Sequence, residues 1–370
     1  MNSSIPVSIY FTMEWWDEHY HCRSPRPEQK TQNALEEMYL GRLRFLHREF
    51  GSLGIGEEKP ILGSGQIATV IRHQFDLVPV LLGTMVWLQD AWGLYPQFRK
   101  LKDLSRLAPI DISRHPEGEW ILREKERLER LYGHCGVNID IGSVSNNSFR
   151  VLGEAFYTEL LEDKPALSDL FEIILETERY LYAFLCKHFG DIDPVPLSNC
   201  NVPLMGPQIY RDSVLPFDIR QARFLHELRG SQIRAALHHC DVPVDNFIEV
   251  YSEIPGLYSL EASFISDIAA VKRNLPNCQF NAMVSPAKML SKGGMVEDML
   301  RKAINAGADA LQFWNIDPTI DPERLLRIWT SVVEACGVKG IDCCFTPLPL
   351  CWEEIEWAHG RYSASYDWIR

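Results

Sequence analysis

Apolar and polar residues follow two periods along this chain, and the period changes often. Compact apolar, β-rich runs occur at Phe75–Leu82, Val137–Val144, Gln232–Leu237, Phe247–Tyr251, Gln279–Val284 and Asp309–Phe313. Each predicts a short buried strand. Longer stretches at Gln29–Phe50, Phe149–Leu161, Leu167–Phe189, Ile209–Leu228, Ile265–Asn274, Met295–Asn305 and Pro322–Cys336 predict helices. Punctuated loops separate them, such as Asp191–Pro196 and Ile254–Gly256. From about residue 232 onward the order strand, loop, helix, strand repeats, which is the rhythm of βαβ units with parallel pairing. No repeat of fixed period and no low-complexity linker divides the 370 residues. A single α/β domain over 1–370 is therefore expected.

Two architectures answer that rhythm, a barrel and an open doubly wound sheet. The open sheet, with a dinucleotide, wants a glycine-rich turn after its first strand. Gly63-Ser64-Gly65 lacks the third glycine, and Gly54-Ile55-Gly56 runs into Glu57-Glu58-Lys59, which is wrong for holding a pyrophosphate. There is no Walker-type loop. The expected fold is a (β/α)8 TIM barrel, with its active site at the C-terminal ends of the strands.

Composition narrows the function classes. At 46% hydrophobic and 24% charged residues, a chain this long buries a large core without disulfides. Lys and Arg number 37 against 50 Asp and Glu, leaving a net charge of −13. That field repels phosphate backbones, so no nucleic-acid partner is expected. The densest charge, Arg123–Arg130, alternates in sign and reads as a solvated helix face. No run approaches the 18 or so apolar residues of a membrane span, and the first residues lack a signal-peptide pattern. The ten cysteines show no framework spacing and read as reduced thiols of a cytoplasmic protein.

The sharpest chemical feature is Ala235-Ala236-Leu237-His238-His239-Cys240-Asp241. An apolar strand ends in two imidazoles, a thiol and a carboxylate. On an extended chain residues i and i+2 point the same way, so His238 and Cys240 face one point. Nitrogen with thiolate sulfur is a pair suited to zinc. The bland alternative is a buried cysteine beside a histidine bonded to backbone. Zinc wants a further protein ligand, and Asp317, Cys200, Glu253, Glu261 and the pair Cys343-Cys344 are all open choices. Glu261, Asn281 and the segment Gly142–Asn147, which includes Asn146, place polar groups near strand ends; as ordinary structure they are caps and loop acceptors. Met13–Cys22 packs aromatics, acids and imidazoles together, either as a cover over the barrel end or as contact for a flat ligand. No serine stands in a G-x-S-x-G elbow, so a hydrolase triad is not evident.

Several segments together resemble the uroporphyrinogen decarboxylase superfamily. Leu204–Tyr210 with Val214-Leu215-Pro216-Phe217 is similar to its "S-P-x-x-Y/F … v-l-P-y" segment. His238-His239-Cys240 follows at the expected interval and matches the H-x-C strand of the methyltransferase branch. Gly153–Phe156 with Asp163-Lys164-Pro165 matches a "G-x-E-x-f … D-x-P" helix pair, and Asn281–Pro286 with Gly293-Gly294 resembles "G-n-v-d-P … l-x-x-G-T". The resemblance covers about residues 140–335, with 1–70 left as a less well matched N-terminal helical and aromatic extension.

The resemblance implies a (β/α)8 barrel and one of two chemistries. Cofactor-free decarboxylation of uroporphyrinogen would want the superfamily's arginine-rich "M-R-Q-A-G-R" segment, for which Met13-Glu14-Trp15-Trp16 is no substitute. The corrinoid-dependent methyltransferase branch is closer. There a zinc ion is held by H-x-C and a later cysteine, which here falls near Asn315, 75 positions beyond Cys240. The expected function is a zinc-dependent methyltransferase. It moves a methyl group between a small methylated substrate, or a thiol, and the corrinoid of a partner corrinoid-binding protein. In that reading His238, Cys240 and Asp317 hold the metal, His239 and Glu261 handle a proton, and Asn146, Asn281 and Asn315 line the substrate pocket. A decarboxylase and a non-catalytic tetrapyrrole-binding barrel are the alternatives.

Overall fold

The computed structural model describes residues 4–20, 32–61, 77–88, 93–96, 104, 107–132, 141–162, 164–190, 195–229, 234–291 and 294–348. The chain opens with β1 (Ser4–Phe11), α1 (Met13–Tyr20) and α2 (Gln32–Phe50). There follow α3 (Leu77–Leu81), the antiparallel pair β2 (Met85–Leu88) and β3 (Gly93–Pro96), and the helices α4 (Pro116–Tyr132), α5 (Val144–Leu152), α6 (Ala155–Glu162) and α7 (Lys164–Phe189). Next come β4 (Val195–Ser198), α8 (Gly206–Ser213), α9 (Leu215–Arg229), β5 (Ala235–His238) and α10 (Ile248–Tyr251). The remainder runs β6 (Leu257–Ser263), α11 (Ile268–Asn274), β7 (Gln279–Val284), α12 (Pro286–Met289), α13 (Met295–Ala306), β8 (Ala310–Ile316), α14 (Pro322–Val338) and β9 (Asp342–Leu348).

Seven strands form one sheet in the order β4-β5-β6-β7-β8-β1-β9. The pairs β4–β5, β7–β8, β8–β1 and β1–β9 are parallel. Among the described residues this sheet has two ends. The structure therefore establishes an α/β fold on a seven-stranded parallel sheet, and does not close the eight-stranded barrel expected from the sequence.

The N-terminal residues, expected as an extension, contribute an interior strand. Ile5, Val7, Ile9 and Phe11 are buried on one face of β1 while Ser8 and Tyr10 turn to the other. Pro6 interrupts the run and hides this alternation. Opposite Ile9 and Phe11 the register with β8 slips, placing an extra residue on β8, where Asn315 takes φ 51°. That is a β-bulge.

Two apolar runs expected as strands are helical. Residues 77–81 of Phe75–Leu82 form α3, all five buried. Phe247–Tyr251 completes a 3-10 turn and becomes α10. A short uninterrupted apolar run carries no period, so strand and helix look alike in it. Of Val137–Val144, residues 137–140 lie outside the described residues, and Val144 opens α5 behind the N-cap Ser143. Two expected helices are each broken in two. Gly153, at φ 64°, ends α5 within Phe149–Leu161, and Val214 separates α8 from α9 within Ile209–Leu228.

The chain divides into two compact units. One comprises Met1–Gly63, Cys240–Asp245 and Leu260–Ser363. Its core holds the aromatic segment of α1: Trp15 and Trp16 are fully buried, with ring centroids 4.2 and 4.8 Å from Phe11. Trp15 Nε1 donates to Ile320 O at 2.8 Å, and the buried Arg42 guanidinium lies over the Trp16 ring. These rings are core, not an exposed ligand platform. The other unit comprises Ser64–His239, Asn246–Ser259 and Ala364–Arg370. The long helix α7 runs through it, burying Phe171, Leu175, Glu178 and Tyr182 along one stripe. No helix among the described residues is long and apolar enough to cross a membrane.

Candidate metal centre

Strand β5 buries Ala235 and Leu237 on one face, leaving Ala236 and His238 half-buried on the other. His239 therefore turns inward. Cys240 then leaves the strand with φ 55°, a left-handed conformation that costs a non-glycine residue on the order of 1–3 kcal/mol. Here it brings the thiol to the His238 side. In the turn after β4 stands Cys200, exposed. The Cys200 sulfur, a His238 ring nitrogen and the Cys240 sulfur all lie within 4.8 Å of one another. Zinc bonds of about 2.3 Å to sulfur and about 2.0 Å to nitrogen place ligands of one tetrahedral ion roughly 3.5–4 Å apart. Modest closure of these three groups meets that geometry. The donor set, two thiols and one imidazole, suits zinc, and three protein ligands leave a fourth position open, as catalytic zinc sites do.

The Cys200 turn is held by polar contacts on both sides. Asn199 N–H donates to His238 O at 2.8 Å, tying the β4 turn to the end of β5. Its side-chain amide donates to Asp218 Oδ2 at 2.9 Å, and the Tyr210 hydroxyl donates to the same oxygen at 2.7 Å. On the far side Asn201 N–H donates to Asn146 Oδ1, the Asn201 amide donates to Ser145 O, and Ser145 Oγ donates to Asn201 Oδ1. Ser143, the α5 N-cap, donates through Oγ to Ser198 O at 2.8 Å. Such outer partners orient metal ligands.

Burial sets the electrostatics here. The Asp218 carboxyl is pushed up to about 6 by desolvation, against the opposing effect of its Asn199 and Tyr210 hydrogen bonds. Glu178, which accepts from Asn147 Nδ2 at 2.8 Å, is held well above the usual carboxylate range, again chiefly by burial. Burial, then the charges of Asp218 and Cys200, raise the Tyr251 hydroxyl. His239 has its Nδ1 2.5 Å from that hydroxyl and its ring against Phe247. Burial, and next the neighbouring His238, lower it to about 3, so it is neutral at pH 7.

The other residues singled out in the sequence fall as follows. Asn146 is buried in the first turn of α5 and holds the Cys200 turn through Asn201. Asp241 forms an ion pair with Lys288, whose ammonium also donates to Ser263 Oγ. Glu253 pairs with Arg211. Glu261, Asn281, Asn315 and Asp317 belong to the first unit. Glu261 is half-buried on β6, and its charge adds to burial in raising the Tyr10 hydroxyl. Asn281 is half-buried on β7, paired in register with Ala310, and Asn315 is exposed at the β8 bulge. Asp317 accepts from the backbone N–H and hydroxyl of Thr319 and is not part of the three-residue group. Of the several third ligands left open by the sequence, Cys200 is the one the structure sets beside His238 and Cys240. Of the clamp residues, Tyr210 ends the segment similar to "S-P-x-x-Y/F", while Asn199 and Asp218 carried no recognised signal; an Asn-Cys-Asn run directly after a short apolar segment is the trace Asn199 leaves.

No protein-family model matches the chain, and no curated protein matches it in sequence. Among solved structures its fold is similar to that of a methyltransferase from Methanosarcina mazei. The TM-score is 0.58 at 14% identity, over 91% of this chain and 94% of that one. At that identity the likeness is one of fold.

Proposed function

We propose that this chain is a zinc-dependent methyltransferase that moves a methyl group between a small substrate and the corrinoid of a partner protein. The observation that carries the reading is the convergence of Cys200, His238 and Cys240. The fold similarity to a methyltransferase supports it. Cys200, His238 and Cys240 would hold the ion, replacing Asp317 in the ligand set expected from the sequence. Bound zinc supplies a Lewis acid, which lowers the pKa of a substrate thiol or draws charge from the heteroatom of a methyl donor. Two thiolates and a neutral imidazole cancel the ion's double charge, a balance that favours a thiol as the small substrate.

The chain's own groups do the rest. Exposed Cys200 keeps the site open to solvent, as docking of a corrinoid protein requires. Glu261 is proposed to take up the proton released on the substrate side; His239, held neutral by burial and bonded to Tyr251, is a poor proton acceptor. Asn146, Asn281 and Asn315 are proposed as polar substrate contacts. The same reading carries the (β/α)8 barrel, with the site at its strand ends.

The test is metal content and methyl transfer together. Protein prepared reduced and without chelator is expected to hold close to one zinc per chain, lost in Cys200→Ala, His238→Ala and Cys240→Ala. The wild type is expected to demethylate methylcobalamin in the presence of small thiols, and the variants not. Absence of zinc from the wild type overturns the reading and returns attention to decarboxylation or simple tetrapyrrole binding.

A further inference from the structure

Asn199 occupies a particular place. Its backbone N–H is bonded to the carbonyl of His238, and the next residue in the chain is Cys200. It thus links two of the three candidate ligands. Its side chain is fixed in turn by Asp218, whose Oδ2 accepts from both Asn199 Nδ2 and the Tyr210 hydroxyl. All three residues are buried, Asp218 at 1% exposure and the other two at 0%. Asn199 Nδ2 also reaches the Tyr210 oxygen, at 3.4 Å, which closes the triangle.

A buried carboxylate is expensive unless every lone pair is used. Among the described residues Asp218 Oδ1 and Asn199 Oδ1 find no hydrogen-bond partner, and neither do the two amide atoms of buried Gln221, one turn along α9. A partly satisfied polar network serves stability less well than apolar packing would. Departures of this kind are expected where a site must be held in place. The element held here is the turn that carries Cys200.

We propose that Asp218 is a positioning residue for the metal centre, setting the Cys200 thiol against His238 through Asn199. This rests on the reading of Cys200, His238 and Cys240 as metal ligands. Asp218 touches no ligand itself. Removing the carboxylate frees the Asn199 side chain and lets the β4 turn rotate, which misplaces one sulfur while His238 and Cys240, on their own strand end, stay put.

The experiment measures zinc affinity by competition with a chromophoric chelator, and the absorption of the cobalt(II)-substituted protein, on the full chain. Asp218→Ala removes the acceptor and is expected to weaken zinc binding about 10–100-fold, as loss of a partner that orients a ligand does. It should also shift the cobalt d–d bands while far-ultraviolet circular dichroism is retained. Asp218→Asn keeps a carbonyl oxygen that can accept from both Asn199 and Tyr210 and is expected to hold most of the affinity. If Asp218→Ala does not fold, Tyr210→Phe removes a single hydroxyl and is expected to move affinity and spectrum in the same direction. Wild-type affinity and an unchanged cobalt spectrum in folded Asp218→Ala, or in Tyr210→Phe where that variant does not fold, overturn the positioning role and leave the metal reading standing. Failure of the wild type to bind either ion overturns the metal reading, and the positioning role with it.

Discussion

Asp218 carries the clearest single-residue consequence. Its carboxyl titrates near 6 in the folded chain against an ordinary value of 3.8, because burial opposes the charged form. Between those values the folded chain keeps a proton that the unfolded chain releases. The contribution of this group to stability is therefore full below about pH 4 and is lost as pH rises through about 6, a change on the order of 3 kcal/mol. Asp218→Asn cannot titrate. In urea unfolding of metal-free protein at pH 4.5 and pH 7, the variant is expected to lose this pH-dependent component, whatever constant offset the substitution adds. Identical pH dependence in both proteins would show that the carboxyl is not the titrating group. Cys240 and Asn315 also stand out at this scale, as the described non-glycine residues with positive φ. Both were singled out in the sequence for their chemistry; their backbone conformations were not visible there.

Among the elements, α5 does more than its nine residues suggest. Its N-cap Ser143 accepts from Asn146 N–H and at the same time donates to the carbonyl that ends β4. Its first turn supplies Ser145 and Asn146 to the Cys200 turn. Asp321, the N-cap of α14, is exposed and bonds only within its own helix start. Ser143→Ala is expected to cost about 2 kcal/mol, the loss of a cap plus a stranded buried carbonyl, and Asp321→Ala about 1 kcal/mol. Denaturant midpoints of the two variants check the order; equal losses would mean that the Ser143–Ser198 link contributes nothing. The helices with long periodic patterns, α7, α13 and α14, stand within a few residues of the ranges read from sequence. The short apolar runs were where pattern failed, in α3 and α10, since burial on every side erases the period. Strand β4 was hidden by Pro196, which an end strand of the sheet tolerates because one side of its backbone needs no ladder partner.

At the scale of the molecule the excess of acid dominates. A net charge of −13 sets a field that disfavours polyanions at every face lacking a basic patch. A fluorescence anisotropy titration with duplex DNA at about 50 mM salt, where non-specific electrostatic binding is strong, is expected to show no binding. Salt-sensitive binding there would reveal a local basic surface that the average conceals. The fold likeness to a methyltransferase spans nearly the whole of both chains at 14% identity. Two very different sequences thus have a similar architecture, as expected when packing tolerates many substitutions of similar volume.

The sequence by itself determined the α/β class and the alternation of strand and helix beyond residue 232, and it singled out His238 and Cys240. These rest on local properties: period, punctuation and closeness along the chain; that Cys240 leaves the strand with φ 55° was not among them. Which distant residue stands beside that pair was left open. Cys200 stands 38 positions before His238, and only the pairing of β4 with β5 brings their ends side by side, Ser198 opposite His238. The Asp218–Asn199 clamp is likewise a product of tertiary structure. A hydrogen bond between helix α9 and the β4 turn depends on how the chain returns on itself, and no local period records that.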